Sequence, residues 1–347
     1  MVRAIDAPGV SSVNVDLRRC RHGEFWVFEN DTTLSRALVQ YGEWAENEIY
    51  LLAGLLRPGD FVVDAGAHVG THTLPMASAT GPHGRVMAIE AQHDAFLLLS
   101  ANVLLNAADN VRCIQAVLSD RRGVELLPVA ARGTVMNRAA VSFSEDPSET
   151  ADSVATLRIR IDDLELRTCN LLKMDVEGME LDVLRGAKET IAEHRPVVYF
   201  EQNTDRQFGA CCEFLREFGY RLFWHVAPAF NGNNFCGSPD NIFGEVTETA
   251  VLALPPGATP ERARSRAELE EIRSTSYTPP SGRGRWKLPE RPYPFYENGA
   301  YAPVNRAISS LDAEGLRTAY EVLLEDRAKA QAVMEAQKAL IDKFKRP

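Results

Sequence analysis

The chain has 347 residues, 45% hydrophobic and 25% charged, the balance of an ordinary globular protein with room for one large domain and an appendage. A net charge of −10 argues against nucleic acid or anionic lipid as a partner. No run reaches the roughly 18 apolar residues of a membrane span, the opening "MVRAIDAPGVSSVNV" has no signal-peptide core, and the six scattered cysteines form no CxxC pair, so a cytoplasmic protein with reduced thiols is expected.

Residues 1–58 read as N-terminal strands and a helix leading into a core over 59–255. From residue 60 short apolar runs alternate with helical ones: "DFVVDAG", "THTLPMASA", "GRVMAIE", "AFLLLSANVLLN", "NVRCIQAVLS". That rhythm predicts an α/β fold, a parallel sheet with helices on both faces. The polar run 132–153 is a surface loop before "ATLRIRI" resumes strand alternation, and "NLLKMDV", "MELDVLRGAKETIAEH" and "RPVVYFEQN" continue as strand, helix and strand. "YRLFWHV" and "TAVLALP" have only a loop between them, which suits an antiparallel pair. Residues 256–309 form a Pro/Gly/Arg-rich arm, and 310–347 an amphipathic helix suited either to packing on its own domain or to joining two subunits in a homodimer.

Three stretches carry chemistry. In "FVVDAGAHVGTHT", Asp64 ends a strand, and Gly66 and Gly70 open a turn into a helix, where backbone can approach a ligand closely. The Gly-x-x-x-Gly spacing departs from the Gly-x-Gly-x-x-Gly of a pyrophosphate-binding fold. Twenty residues past Gly70, Glu90 ends the next strand, where a carboxylate can accept both hydroxyl hydrogens of a ribose. In "DVEGME", Asp175 and Glu177 emerge at the carboxyl end of a strand, as general base or as helix cap. His225 in "FWHVAPAF" is a second candidate base, with structural packing as its alternative. Asp175, Glu201 and Asn203 also offer oxygen ligands of the kind Mg²⁺ accepts, a reading not favoured. Asn231, Asn233, Asn234 and Asn241 suit either a polyhydroxylated acceptor or ordinary turns.

Together "FVVDAGAHVGTHT", "VMAIEAQHDAFLLLSANVLLN" and "LLKMDVEGMELDVLRGA" resemble the FkbM family of S-adenosylmethionine-dependent methyltransferases, over about Tyr41 to Pro255. The resemblance implies a class I methyltransferase (Rossmann-like) sheet of seven strands with the last antiparallel. It also implies S-adenosylmethionine as cofactor, its methionine end on Asp64, Gly66, Ala67, His68 and Gly70 and its ribose on Glu90. Gln115 and Ala116 would face the adenine. Tyr41 and Trp44 would close over the cofactor or else simply pack. The family often has Asn-Ile-Gly where this chain has His68-Val69-Gly70. The expected activity is O-methylation of a hydroxyl on a sugar, glycolipid precursor or polyketide-like natural product. Rivals are an NAD-dependent oxidoreductase and a catalytically silent cofactor-binding assembly partner.

Overall fold

The computed structural model describes residues 15–128, 153–202, 205–258 and 269–280. Asn203, much of the 132–153 loop, most of the arm and the whole 310–347 helix lie outside the described residues. Everything described belongs to the compact unit Met1–Ala300.

A hairpin of β1 (Val15–Cys20) and β2 (Gly23–Phe28) is followed by α1 (Leu34–Tyr41) and α2 (Glu46–Leu55). β3 (Phe61–Ala65), α3 (Thr73–Thr80), β4 (Arg85–Glu90), α4 (His93–Leu105) and β5 (Val111–Gln115) then alternate. Next come β6 (Val117–Leu118), β7 (Gly123–Pro128), β8 (Ser153–Ile159), β9 (Leu171–Met174), α5 (Glu180–Gly186), α6 (Lys188–His194) and β10 (Val197–Glu201). α7 (Phe208–Glu217), β11 (Arg221–Pro228), β12 (Thr247–Leu254) and β13 (Glu270–Glu271) complete the series.

The main sheet runs β13-β11-β12-β10-β9-β3-β4-β5, with β10, β9, β3, β4 and β5 parallel. β12 is antiparallel to both its neighbours, β10 and β11. Where the resemblance implies seven strands, the sheet holds eight, because β13 adds to the outer edge of β11. Residues 269–280 of the arm pack onto the core: Ile272 is buried and donates its N–H to the Leu222 carbonyl at 2.8 Å, and Tyr277 packs edge-on against Phe208 and Trp224. Two apolar side chains in a polar stretch gain enough burial to dock it.

Strand alternation sends Val63, Leu172, Met174 and Phe200 to one face, packed by Leu181 and Leu184 of α5 and Leu215 of α7. Val62, Leu171 and Tyr199 face the other way, under Leu51 and Leu52 of α2, Met76 of α3 and Leu99 of α4. The hairpin and α1 pack Phe25, Phe28, Leu34 and Leu38 around Val69 and Leu74, which braces the turn after β3 from outside the sheet.

Candidate active site

The strand order reverses at β3 and β9, with β4 and β5 on one side and β10, β12 and β11 on the other. Ligands in such sheets sit outside the carboxyl ends of the strands at the reversal. Here that place is a cavity of about 470 Å³ lined by residues of the turn after β3, the ends of β4 and β10, and the junction after β9.

The turn after β3 is flush with that junction. Gly66 has φ +76, and a Cβ on it would lie 1.8 Å from the Asp175 carbonyl oxygen, so only glycine lets the two loops meet. Gly66 and Ala67 donate their N–H groups to the Ile89 carbonyl at 2.9 and 3.1 Å, which ties the turn to the end of β4. Glu90 completes that tie: Oε2 accepts from the His68 N–H at 2.8 Å and Oε1 from the Gln92 N–H at 2.7 Å. Burial pushes the Glu90 carboxyl up to about 7 against those two bonds. Each carboxylate oxygen keeps a further lone pair for a donor in the cavity.

The opposite wall is acidic. One oxygen from each of Asp175, Glu177 and Glu201 lies within 4.8 Å of the others. Burial drives Asp175 upward, but the Lys173 ammonium and a hydrogen bond with Glu201 drive it harder the other way, and it ends below the ordinary aspartate value. Glu201 moves the opposite way, raised by burial and then by the neighbouring Asp175. Burial, then the charges of Asp175 and Glu180, push Glu177 up to about 8. Three clustered carboxyls are oxygen ligands of the kind a divalent cation accepts, and the Lys173 ammonium stands 3.7 Å from Asp175 as a fixed cation beside them.

Residues 64–222 match the family described as a methyltransferase FkbM domain. Over that stretch the chain is similar to FkbM methyltransferases. Over 180 residues the chain is 29% identical to methyltransferase sdnD of Sordaria araneosa, covering 43% of this chain and 68% of that protein. Over 222 residues it is 28% identical to 31-O-demethyl-FK506 methyltransferase FkbM of Streptomyces tacrolimicus, covering 55% and 85%. A solved methyltransferase FkbM from Methylobacillus flagellatus KT aligns at 20% identity over 60% of this chain and 48% of that one, with a TM-score of 0.41.

Within the matched stretch and its N-terminal approach, Gly66, Ala67, His68, Glu90, Ala116, Asp175, Glu177, Glu201 and Trp44 all line the cavity. Four expected cofactor-binding residues do not. Asp64 is fully buried beneath the turn, where it accepts the Thr73 hydroxyl hydrogen at 2.6 Å and lies 3.3 Å from the Lys173 ammonium, so it braces the loop instead of touching a ligand. Gly70 meets Leu99 inside the core. The Gln115 side chain turns to His93 at 3.3 Å, leaving Ala116, Val117 and Leu118 as that wall of the cavity. Tyr41 is buried, its hydroxyl donating to the Asp240 carbonyl at 2.7 Å and accepting from the Ile242 N–H at 2.8 Å, so it anchors a loop; its neighbour Trp44 is the one that reaches the cavity, with its ring 5.7 Å from that of Phe243.

His225 is corrected most sharply. It lies within β11 instead of after it, 2% exposed, its Nδ1 sharing a 2.8 Å hydrogen bond with the Tyr199 hydroxyl, and burial pushes its pKa down to about 4. It is not among the residues that line the cavity. The cap reading of Asp175 also fails, because α5 starts only at Glu180, with Met179 at the cap position and no side-chain cap bond. Glu180 does serve the helix start, accepting the Gly178 N–H at 3.1 Å. Asn231, Asn234 and Asn241 bond their own loop and Glu43, which is turn chemistry.

The residue that sequence reasoning missed is Lys173. It sits in β9 between Leu172 and Met174, 2% exposed, and lines the cavity. A lysine inside a strand buried at every position was the signal, since a lone buried ammonium is costly unless charges meet it.

Proposed function

We propose that this protein is an S-adenosylmethionine-dependent O-methyltransferase acting on a hydroxyl of a small molecule: a sugar, a glycolipid precursor or a polyketide-like natural product. The observation that carries it is the facing of two walls across one cavity, the Gly66 turn with Glu90 on one side and the Asp175–Glu177 junction on the other. The Streptomyces relative, named a 31-O-demethyl-FK506 methyltransferase, supports oxygen as the acceptor atom.

The residues suit the cofactor. The turn from Gly66 to His68 gives backbone approach for its methionine end, Glu90 offers lone pairs to the ribose hydroxyls, and the apolar wall of Ala116 to Leu118 suits the adenine. When bound, S-adenosylmethionine supplies a methyl group on a sulfonium. Asp175, kept ionised, presents a fixed negative charge to that end of the cavity. Glu177, displaced upward to about 8, is matched to accept the proton of an alcohol near neutral pH. Two neighbouring carboxyls pushed apart in this way take different roles. General-base help of this kind contributes about 10²–10⁴-fold. Titration calorimetry with S-adenosylhomocysteine and with NAD tests the reading: binding of the first alone is expected, and binding of NAD alone would overturn it in favour of an oxidoreductase.

A further inference from the structure

Lys173 belongs to none of the roles above. Its Nζ lies 3.3 Å from Asp64 Oδ1, donates to the Gly66 carbonyl at 3.2 Å and lies 3.7 Å from Asp175 Oδ2. An ammonium has three donors and no acceptor. Here its partners are spread over β3, the turn after it and the junction after β9.

We propose that Lys173 is a positioning residue, whose ammonium holds the Asp175 carboxylate in place against the Gly66 turn so that it faces the cofactor's sulfonium end; this rests on the methyltransferase reading. Register puts Lys173 beside Asp64, its parallel partner across β3 and β9. A purely structural ion pair would end there, since Asp64 and Lys173 neutralise one another and Thr73 completes the Asp64 shell. The ammonium instead extends to the two groups that meet at the cavity, donating to the Gly66 carbonyl and standing 3.7 Å from Asp175 Oδ2 as an ion pair. Asp175 needs such a partner, because its side chain is one-third exposed and acids crowd it: Glu201 on β10, Glu177 and Glu180 after β9, and Glu90 on β4. Without Lys173 those charges would turn the carboxylate away or force a proton onto it.

The test measures how strongly the cavity prefers sinefungin, an analogue with an amine cation in place of the methyl sulfonium, over the neutral S-adenosylhomocysteine. Lys173→Met alone strands Asp64 as a buried charge and risks the fold, so the working variant pairs it with Asp64→Asn, which leaves the net charge unchanged. Calorimetry is run on the wild type, Asp175→Asn, Lys173→Met with Asp64→Asn, and all three together. The expected result is a preference for the cation that falls about tenfold in Asp175→Asn, falls as much in the Lys173 variant, and falls no further when they are combined. A Lys173 variant that keeps the wild-type preference, or effects that multiply, would overturn the positioning role alone. Asp175→Asn without effect would overturn it together with the placement of Asp175. Failure of the wild type to bind either compound would overturn the methyltransferase reading itself.

Discussion

Gly66 presses its bare Cα against the carbonyl of Asp175, so that the turn after β3 and the junction after β9 touch there without side chains between them. An alanine there would meet backbone oxygen at 1.8 Å in a left-handed conformation. Gly66→Ala is expected to cost about 1–3 kcal/mol in backbone strain and at least as much again in displaced backbone. Thermal melting should drop, and calorimetry should show no cofactor binding. A stable variant that binds normally would mean the two loops do not meet.

Glu90 holds two buried N–H groups as well as facing the cavity, so Glu90→Ala should act twice. Charge-assisted bonds of this kind are worth about 1.5–3 kcal/mol each. Cofactor affinity is expected to fall at least tenfold, and the melting temperature to fall with it, because the N–H groups of His68 and Gln92 lose their acceptor. Affinity unchanged in calorimetry would remove Glu90 from the ribose.

Glu177 is the proposed base, and Glu177→Gln should leave cofactor binding near wild type while slowing single-turnover methyl transfer by about 10²-fold or more. In the wild type the rate should climb as pH passes through about 8, where the carboxyl ionises. Stability runs the other way. A folded-state pKa raised from 4.5 to about 8 means the native state holds the proton more tightly, so its contribution is full below 4.5 and is lost as pH rises through 8. Glu177→Gln should flatten that decline in melting temperature, and an equal decline in both proteins would show that other groups cause it.

His225 should matter to stability and not to chemistry. Its pKa is pushed down to about 4, so the neutral ring contributes stability that is present above 6.5 and lost as pH falls through 4. His225→Phe removes one hydrogen-bond partner of the Tyr199 hydroxyl and should cost about 0.5–1.5 kcal/mol. Denaturant unfolding at pH 7 and pH 5 checks this, with the gap between the proteins narrowing at the lower pH. A variant of normal stability with a slowed methyl-transfer step would return His225 to the site.

The alternation of strands and helices, the glycine turn, Glu90 at a strand end and the acids of "DVEG" were all legible in the sequence, because each is written in local period or in turn chemistry that a few neighbouring residues decide. What the chain order cannot express is which side of a strand faces a cavity and what lies across it. His225 and Tyr41 looked available by type and position, yet packing buries both and gives each a hydrogen-bond partner distant in sequence. Asp64, at the end of its strand as expected, proved to be the underside of the site because parallel register sets it beside Lys173 on a neighbouring strand. Lys173 itself stood in plain view in "NLLKMD" and meant nothing until β3 and β9 were paired. A buried charge takes its role from the charges that meet it, and those arrive only with the fold.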